Sequence, residues 1–210
     1  MTEHQQYATL LTCLSYEVAR LELKLAALLR IRERAGQVQG DSVAPLFTIL
    51  AESLHVDVIM SLAKLFENRN DSRPRSLPRL IGFLDRNCGK IQWNHDLTLF
   101  DLRRHRAQIE ARRAEINLVT SQRDRYFAHH DKDCSGRLED LISDLPITNE
   151  TLVALLQLAQ QIIANHSHAL HGTRSANVAE LAAGTIDEMV STCETLMPDV
   201  DSLEISNCLT

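Results

Sequence analysis

Apolar residues recur at intervals of three and four along most of the 210-residue chain. The clearest run predicts a helix from about residue 6 to residue 34, with one apolar stripe formed by Leu14, Val18, Leu21, Leu25 and Leu28. The same spacing, with capping residues and glycine or proline at the ends, predicts further helices at about 41–66, 76–89, 96–131, 148–172 and 176–196. The second of these carries its stripe on Leu46, Ile49, Leu50, Ile59, Leu62 and Phe66. The pattern therefore predicts an all-α fold.

The segment at 96–131 contains neither glycine nor proline and is rich in Leu, Arg, Gln, Glu and Ala. These are good helix formers, so one long helix is predicted there, with a bend allowed. With the long helix at 6–34 it indicates a helical bundle that has an antiparallel pair of long helices at its centre. The length of the chain favours a single domain spanning 1–210, in which 173–210 form a C-terminal helix and an acidic tail.

Composition narrows the class of protein further. Glycine and proline together make 12 residues, which is typical of a helical chain, and no stretch is long and apolar enough to predict a membrane span. The first residues lack the basic and apolar regions of a signal peptide. The five cysteines are scattered and never form a Cys-x-x-Cys pair, so reduced thiols are expected. A cytoplasmic protein with no membrane partner is the resulting expectation.

Charge is distributed unevenly along the chain. Residues 69–125 hold 13 Lys/Arg against 7 Asp/Glu, a balance of +6, whereas the other residues hold 9 against 21, a balance of −12. A basic segment of this kind is often a solvated helix surface, but it can also be a track for a phosphate backbone. Arg112 and Arg113 are the candidates for such phosphate contacts.

The chemistry is concentrated at 123–130, where the sequence is Arg-Asp-Arg-Tyr-Phe-Ala-His-His. A histidine can exchange a proton with an RNA 2′-hydroxyl, and an arginine can hold the phosphate and offset its growing charge. On a helix, Arg123 and His129 lie about 120° apart, whereas Arg125 with His129 and Arg123 with His130 share a face. The choice of partners therefore stays open. A buried anchor at 126–128 surrounded by solvated charges is the alternative without chemistry.

Three segments occur in a recognisable order. A helix with Asp57-Val58 and the run Leu62–Phe66 comes first, Ser76–Ile81 follows, and the motif Arg123–His129 comes last, followed by Asp131-Lys132. The last segment resembles the Arg-x(4 to 6)-His signature of the HEPN superfamily of helical nucleotide-binding domains. The order of the three resembles the abortive-infection U-type HEPN family, and the resemblance covers roughly residues 5–172, the expected core of the domain.

The resemblance implies a homodimer in which two Arg/His motifs face each other across a cleft and cut RNA without a metal, as a toxin or phage-defence effector with a possible cognate antitoxin. Arg123 would bind the phosphate, and Asp124 would orient Arg123. His129 would be the acid or base, with His130 as the alternative. Arg125 and Tyr126 would contact the substrate. The rival hypothesis is a non-catalytic module that binds a nucleotide, an RNA or a partner protein. A scaffold without a ligand is favoured if the arginines of 103–125 are held in ion pairs.

Two other patterns resemble metal sites, but neither predicts one. Residues 131–142 start like a calcium loop, but position twelve is Ile142 instead of the bidentate glutamate that such a loop needs. His166, His168 and His171 cannot converge on one ion from a single helix, so surface or helix-end histidines are expected. The prediction is therefore that the protein uses no metal and no cofactor.

Overall fold

The computed structural model describes residues 1–35, 44–68, 75–95, 97–130 and 147–172, with the side chains of 34–35, 44–47 and 126–130 left out. Over these ranges the chain forms six α-helices and no strand. They are α1 (Glu3–Ala35), α2 (Ala44–Phe66), α3 (Leu77–Asn87), α4 (Leu99–Ala111), α5 (Arg113–His130) and α6 (Asn149–His171), with a 3-10 turn at Cys88–Lys90. The predicted all-α class is confirmed. The helix and the tail predicted beyond residue 172 lie outside the described residues.

The helix ends follow the capping residues of the sequence. At the start of α4, the Thr98 hydroxyl accepts the Asp101 N–H at 3.2 Å, and the Asp101 carboxylate accepts the Thr98 N–H at 3.0 Å. This reciprocal capping box gives an acceptor to two backbone N–H groups, those of Thr98 and Asp101, that the first turn of the helix would leave without one. Helix α6 ends at Gly172, whose φ of 72° is the left-handed conformation that glycine adopts without strain.

The predicted long helix at 96–131 is divided into α4 and α5. The division falls at Arg112, where φ is −103° and ψ is 17°. The Arg112 N–H reaches back only three residues, to the Ile109 carbonyl at 3.1 Å, so the α-helical ladder is tightened and interrupted there. No glycine or proline marks this position, which explains why the sequence predicts one continuous helix.

Helices α1 and α2 pack against each other with side-chain contacts in reverse order along the chain. The contacts join Glu17 to Lys64, Lys24 to Asp57, and Arg32 to His55. These two helices are therefore antiparallel neighbours. That such a pair forms the centre of the molecule stays a prediction.

The core is built from leucine and isoleucine on all six helices. The predicted stripe of α1 is buried throughout, and its members are Leu14, Val18, Leu21, Leu25 and Leu28. The stripe predicted for α2 is only partly correct, because Ile49 and Leu50 are 60% and 41% exposed. Both residues precede His55, the α2 residue that Arg32 of α1 contacts. None of the helices in the described ranges has the length and apolar character needed to cross a bilayer.

Candidate functional site

Arg123 lies in α5 and is almost completely covered, with 7% of its surface exposed. Its guanidinium binds the Asp124 carboxylate through Nε at 2.9 Å and Nη2 at 2.7 Å. Its Nη1 donates to Glu67 Oε1 at 3.1 Å. A buried arginine needs partners for its charge, and here two carboxylates supply them. The orientation of Arg123 is therefore fixed from both sides.

The electrostatics of this group follow from the same contacts. Burial alone would lower the pKa of Arg123, but the carboxylates of Asp124 and Glu67 raise it above its ordinary value. The side chain stays charged at any physiological pH. Three of the five N–H groups of a guanidinium are used by the two carboxylates, so two remain for other acceptors. A phosphate could bind there, but it would meet two negative charges nearby.

Glu67 is the residue that reasoning from the sequence missed. It follows α2 directly and lies 56 positions before Arg123, so no local spacing connects the two. Its side chain is largely buried, with 18% exposed. A carboxylate placed directly after the apolar run ending at Phe66 was the only signal in the sequence.

The histidines of the motif lie at the end of α5, which continues without a break from Arg113 to His130. The helical spacing assumed for Arg123, His129 and His130 therefore holds for the backbone. The side chains of Tyr126, His129 and His130 lie outside the described residues, so the choice of histidine stays a prediction. Arg125 is half-buried on the same helix.

Most arginines of α4 and α5 are paired with acidic residues. The pairs are Arg104 with Asp101, Arg106 with Asp85, Arg112 with Glu115, and Arg113 with Glu110. Arg103 makes no ion pair with any described residue and is exposed. Ion pairing of these arginines is what a scaffold without a ligand would show. They are also about half exposed, and exposed pairs contribute at most about 1 kcal/mol each, so a phosphate can compete for the arginines.

The expectation that His166 is a surface or helix-end histidine is wrong. His166 and His105 are fully buried, and their rings form a chain of hydrogen bonds between Tyr7 and Asn165. Tyr7 Oη lies 2.7 Å from His166 Nδ1, His166 Nε2 lies 3.1 Å from His105 Nδ1, and His105 Nε2 lies 3.2 Å from Asn165 Nδ2. The contacts join residues 159 and 61 positions apart, so helical periodicity could not reveal them.

This buried chain requires neutral rings. With the Asn165 amide donating to His105 Nε2, each ring donates one proton to the next group and accepts one from the group before. An added proton on His166 would bring two N–H groups face to face. Burial lowers the pKa of His166 to about 3, with a smaller lowering from His105. Burial also lowers the pKa of His105, and neighbouring Arg104 lowers it further.

A metal site is not formed by the described residues, in which no three His, Cys, Asp or Glu side chains are grouped as ligands. The calcium-like loop at 131–142 lies outside the described ranges.

An all-helical chain with an Arg/His motif at the end of one helix has the features of a HEPN domain. The family model HEPN_AbiU2, described as AbiU2, matches residues 5–187, which is most of the chain. The chain therefore belongs to the AbiU2 family of HEPN domains, and the resemblance seen in the sequence is confirmed. No curated protein and no solved structure matches it.

Proposed function

We propose that this protein is a metal-independent endoribonuclease of the toxin or phage-defence type. The observation that carries the proposal is the buried Arg123, whose guanidinium is oriented by the carboxylates of Asp124 and Glu67. Arg123 lies on α5, the helix that ends in His129 and His130. A charged group held rigidly in place can stabilise a transition state without reorganising. The match to the AbiU2 family of HEPN domains supports the same proposal. Resemblance to HEPN domains implies RNA cleavage by paired Arg/His motifs.

In the proposed reaction His129 takes the proton from an RNA 2′-hydroxyl. The 2′-oxygen then attacks the adjacent phosphorus while the bond from phosphorus to the 5′-oxygen breaks. A histidine returns a proton to the departing 5′-oxygen, and a 2′,3′-cyclic phosphate remains. Arg123 binds the non-bridging phosphate oxygens through the N–H groups that the carboxylates leave over, and Asp124 acts as the positioning residue for Arg123.

Substrate contacts are proposed for Arg112, Arg113, Arg125 and Tyr126. Arg112 and Arg113 lie at the junction of α4 and α5 and are about half exposed. Among the described residues, each is paired with a glutamate three positions away. Such pairs exchange readily with a phosphate oxygen because both partners are already hydrated. RNA would then run from this junction along α5 to Arg123.

The proposed active form is a homodimer of single-domain chains, 1–210, with the long antiparallel helices at its centre. Two motifs would face one cleft, so that one chain supplies groups to the site of the other. The proposal includes a cytoplasmic location, a possible cognate antitoxin and no need for a cofactor.

A second candidate function is a non-catalytic module that binds a nucleotide, an RNA or a partner protein. The two carboxylates on Arg123 favour it over catalysis, because they leave less positive charge to offset the charge that grows on a phosphate in the transition state. The ion-paired arginines of α4 and α5 favour a scaffold in the same way.

Incubation of the purified protein with a mixed-sequence RNA in EDTA separates these functions. We expect cleavage to persist and the products to carry a 2′,3′-cyclic phosphate or its hydrolysis product. His129→Ala should stop cleavage, whereas His130→Ala should not. Loss with His130→Ala instead would move the acid/base role by one residue. Loss of cleavage in EDTA would contradict a metal-independent reaction. A wild type that cleaves no RNA would favour the non-catalytic binding module.

A further inference from the structure

A cavity of about 510 Å³ opens between the end of α2, the helix α3 and the junction of α4 and α5. We call it the α3–α4 cavity. Its volume falls within the range of ligand-binding pockets, about 300 to 1,000 Å³. It is open to solvent on one side, and it lies outside the Arg123 motif itself.

Part of the lining of the α3–α4 cavity is apolar, and this part is called its floor. It is formed by Pro78, Ile81 and Gly82 of α3 and by Ile109 of α4. A Cβ added at Gly82 would meet no heavy atom within 4 Å, so this glycine leaves open space in the floor. A flat apolar surface with room beside it can accept the face of a nucleobase.

The rim of the same cavity carries two arginines and a glutamate. Arg106 is paired with Asp85, and Arg113 donates to Glu110 at 2.8 Å. Both arginine side chains remain about half exposed, at 48% and 43%. A phosphate above the floor would be attracted to both guanidinium groups and would displace only weak surface pairs.

One short segment of the chain, 66–68, contributes both to the cavity and to the Arg123 site. Phe66 and Asn68 line the cavity, and Glu67 between them binds Arg123 Nη1 at 3.1 Å. A phosphate at Arg123 and a base in the cavity would therefore lie on the two sides of one short segment.

From this arrangement we propose that the α3–α4 cavity binds the nucleotide of a single-stranded RNA next to the phosphate held by Arg123. The base lies on the floor between Ile81 and Ile109, and its phosphate lies between Arg106 and Arg113. The inference rests on the proposed function for the phosphate at Arg123. Single-stranded RNA is the favoured occupant because the cavity combines an apolar floor with two arginines at its rim.

Filling the cavity at Gly82 tests this directly. The probe is a short fluorescein-labelled 2′-O-methyl RNA, which lacks the 2′-hydroxyl and so reports binding without cleavage. Gly82→Leu should weaken its binding at least about fivefold, because the leucine side chain takes the space in which the base would bury apolar surface. Gly82→Ala should bind like the wild type, since a methyl group fits the open space. Gly89→Leu adds the same side chain outside the cavity lining, where it also meets nothing within 4 Å, and should have no effect.

Equal binding by Gly82→Leu and Gly82→Ala would overturn the cavity assignment, whatever ordinary RNA cleavage shows. Conversely, Gly82-sensitive binding by a wild type that cleaves no RNA would keep the cavity and reject the proposed catalysis. Adenosine monophosphate that binds as tightly as the RNA, with the same sensitivity to Gly82→Leu, would overturn the RNA assignment in favour of a free nucleotide.

A second pair of variants covers the case in which Gly82→Leu does not fold. Arg106→Gln removes one rim charge from an exposed side chain, and Arg103→Gln removes a charge from the same helix outside the cavity lining. Arg106→Gln should weaken RNA binding by more than Arg103→Gln. Equal effects of the two variants would overturn the proposed phosphate position.

Discussion

Acid should destabilise this fold, chiefly through His166 and His55. Burial lowers the pKa of His166 to about 3. Burial, with a smaller lowering from Arg32, lowers the pKa of His55 to about 4. A histidine in an unfolded chain has a pKa of about 6.5, so the unfolded state binds protons more strongly than the folded state. Stability is therefore complete above about pH 6.5 and falls as the pH drops towards the folded pKa values.

The size of the effect follows from these pKa values. Each of the two histidines lowers the free energy of unfolding by about 1.36 kcal/mol for every pH unit below about 6.5, as long as the pH stays above its folded pKa. Between about pH 7.5 and pH 5.0 that amounts to about 2 kcal/mol for His166 and about 2 kcal/mol for His55. His105, whose pKa is also lowered, contributes with the same sign. Together these losses are a large part of the total stability of about 5–15 kcal/mol that is usual for a domain.

Urea unfolding followed by far-ultraviolet circular dichroism at the two pH values measures this loss. In His166→Gln the difference in unfolding free energy between the two pH values should shrink by about 2 kcal/mol, because the titrating ring is gone. His171→Gln is the matched control, since His171 is exposed on the same helix, and its pH difference should equal that of the wild type. A His166→Gln protein with an unchanged pH difference would refute the buried neutral chain.

Three further predictions concern the contacts of Arg123, the basic segment and the oligomeric state. Glu67→Gln keeps an acceptor for Arg123 Nη1 but removes a negative charge, so fluorescence anisotropy should show RNA binding tighter by up to about tenfold; weaker binding would contradict the geometry. Joint reversal of Arg112 and Arg113 to Glu should weaken RNA binding and reduce its salt dependence between about 50 and 200 mM, while unchanged binding would return these residues to a role in solubility. Light scattering should give twice the chain mass at micromolar concentration, and a monomer would remove the shared cleft.

The helices could be predicted because their signals are local. The buried stripe of α1, the start of α3 at Ser76 and the end of α6 at Gly172 each depend on residues within a few positions of one another. The interruption at Arg112 could not be predicted, since no glycine or proline occurs there and a change of hydrogen-bond partner leaves no compositional mark.

The candidate site could be predicted only in part, for a related reason. Arg123 and Asp124 are neighbours in the sequence, so the motif revealed both. The role of Glu67 and the chain from Tyr7 through His166 to His105 depend on tertiary packing between distant helices. Nor does the sequence distinguish a buried arginine from an exposed one within a basic segment. Arg123 is buried because α5 packs against the end of α2, where Glu67 lies.

The central proposal is that Arg123 and His129 act together on one transition state, and a double-mutant cycle in RNA cleavage measures this. Rates are compared in EDTA for the wild type, Arg123→Ala, His129→Ala and the double variant, with circular dichroism and light scattering to confirm fold and dimer. Each single variant should lose about two to four orders of magnitude, and the double variant little more than either. Losses that multiply in the double variant, or a His129→Ala protein as fast as the wild type, would contradict the proposal.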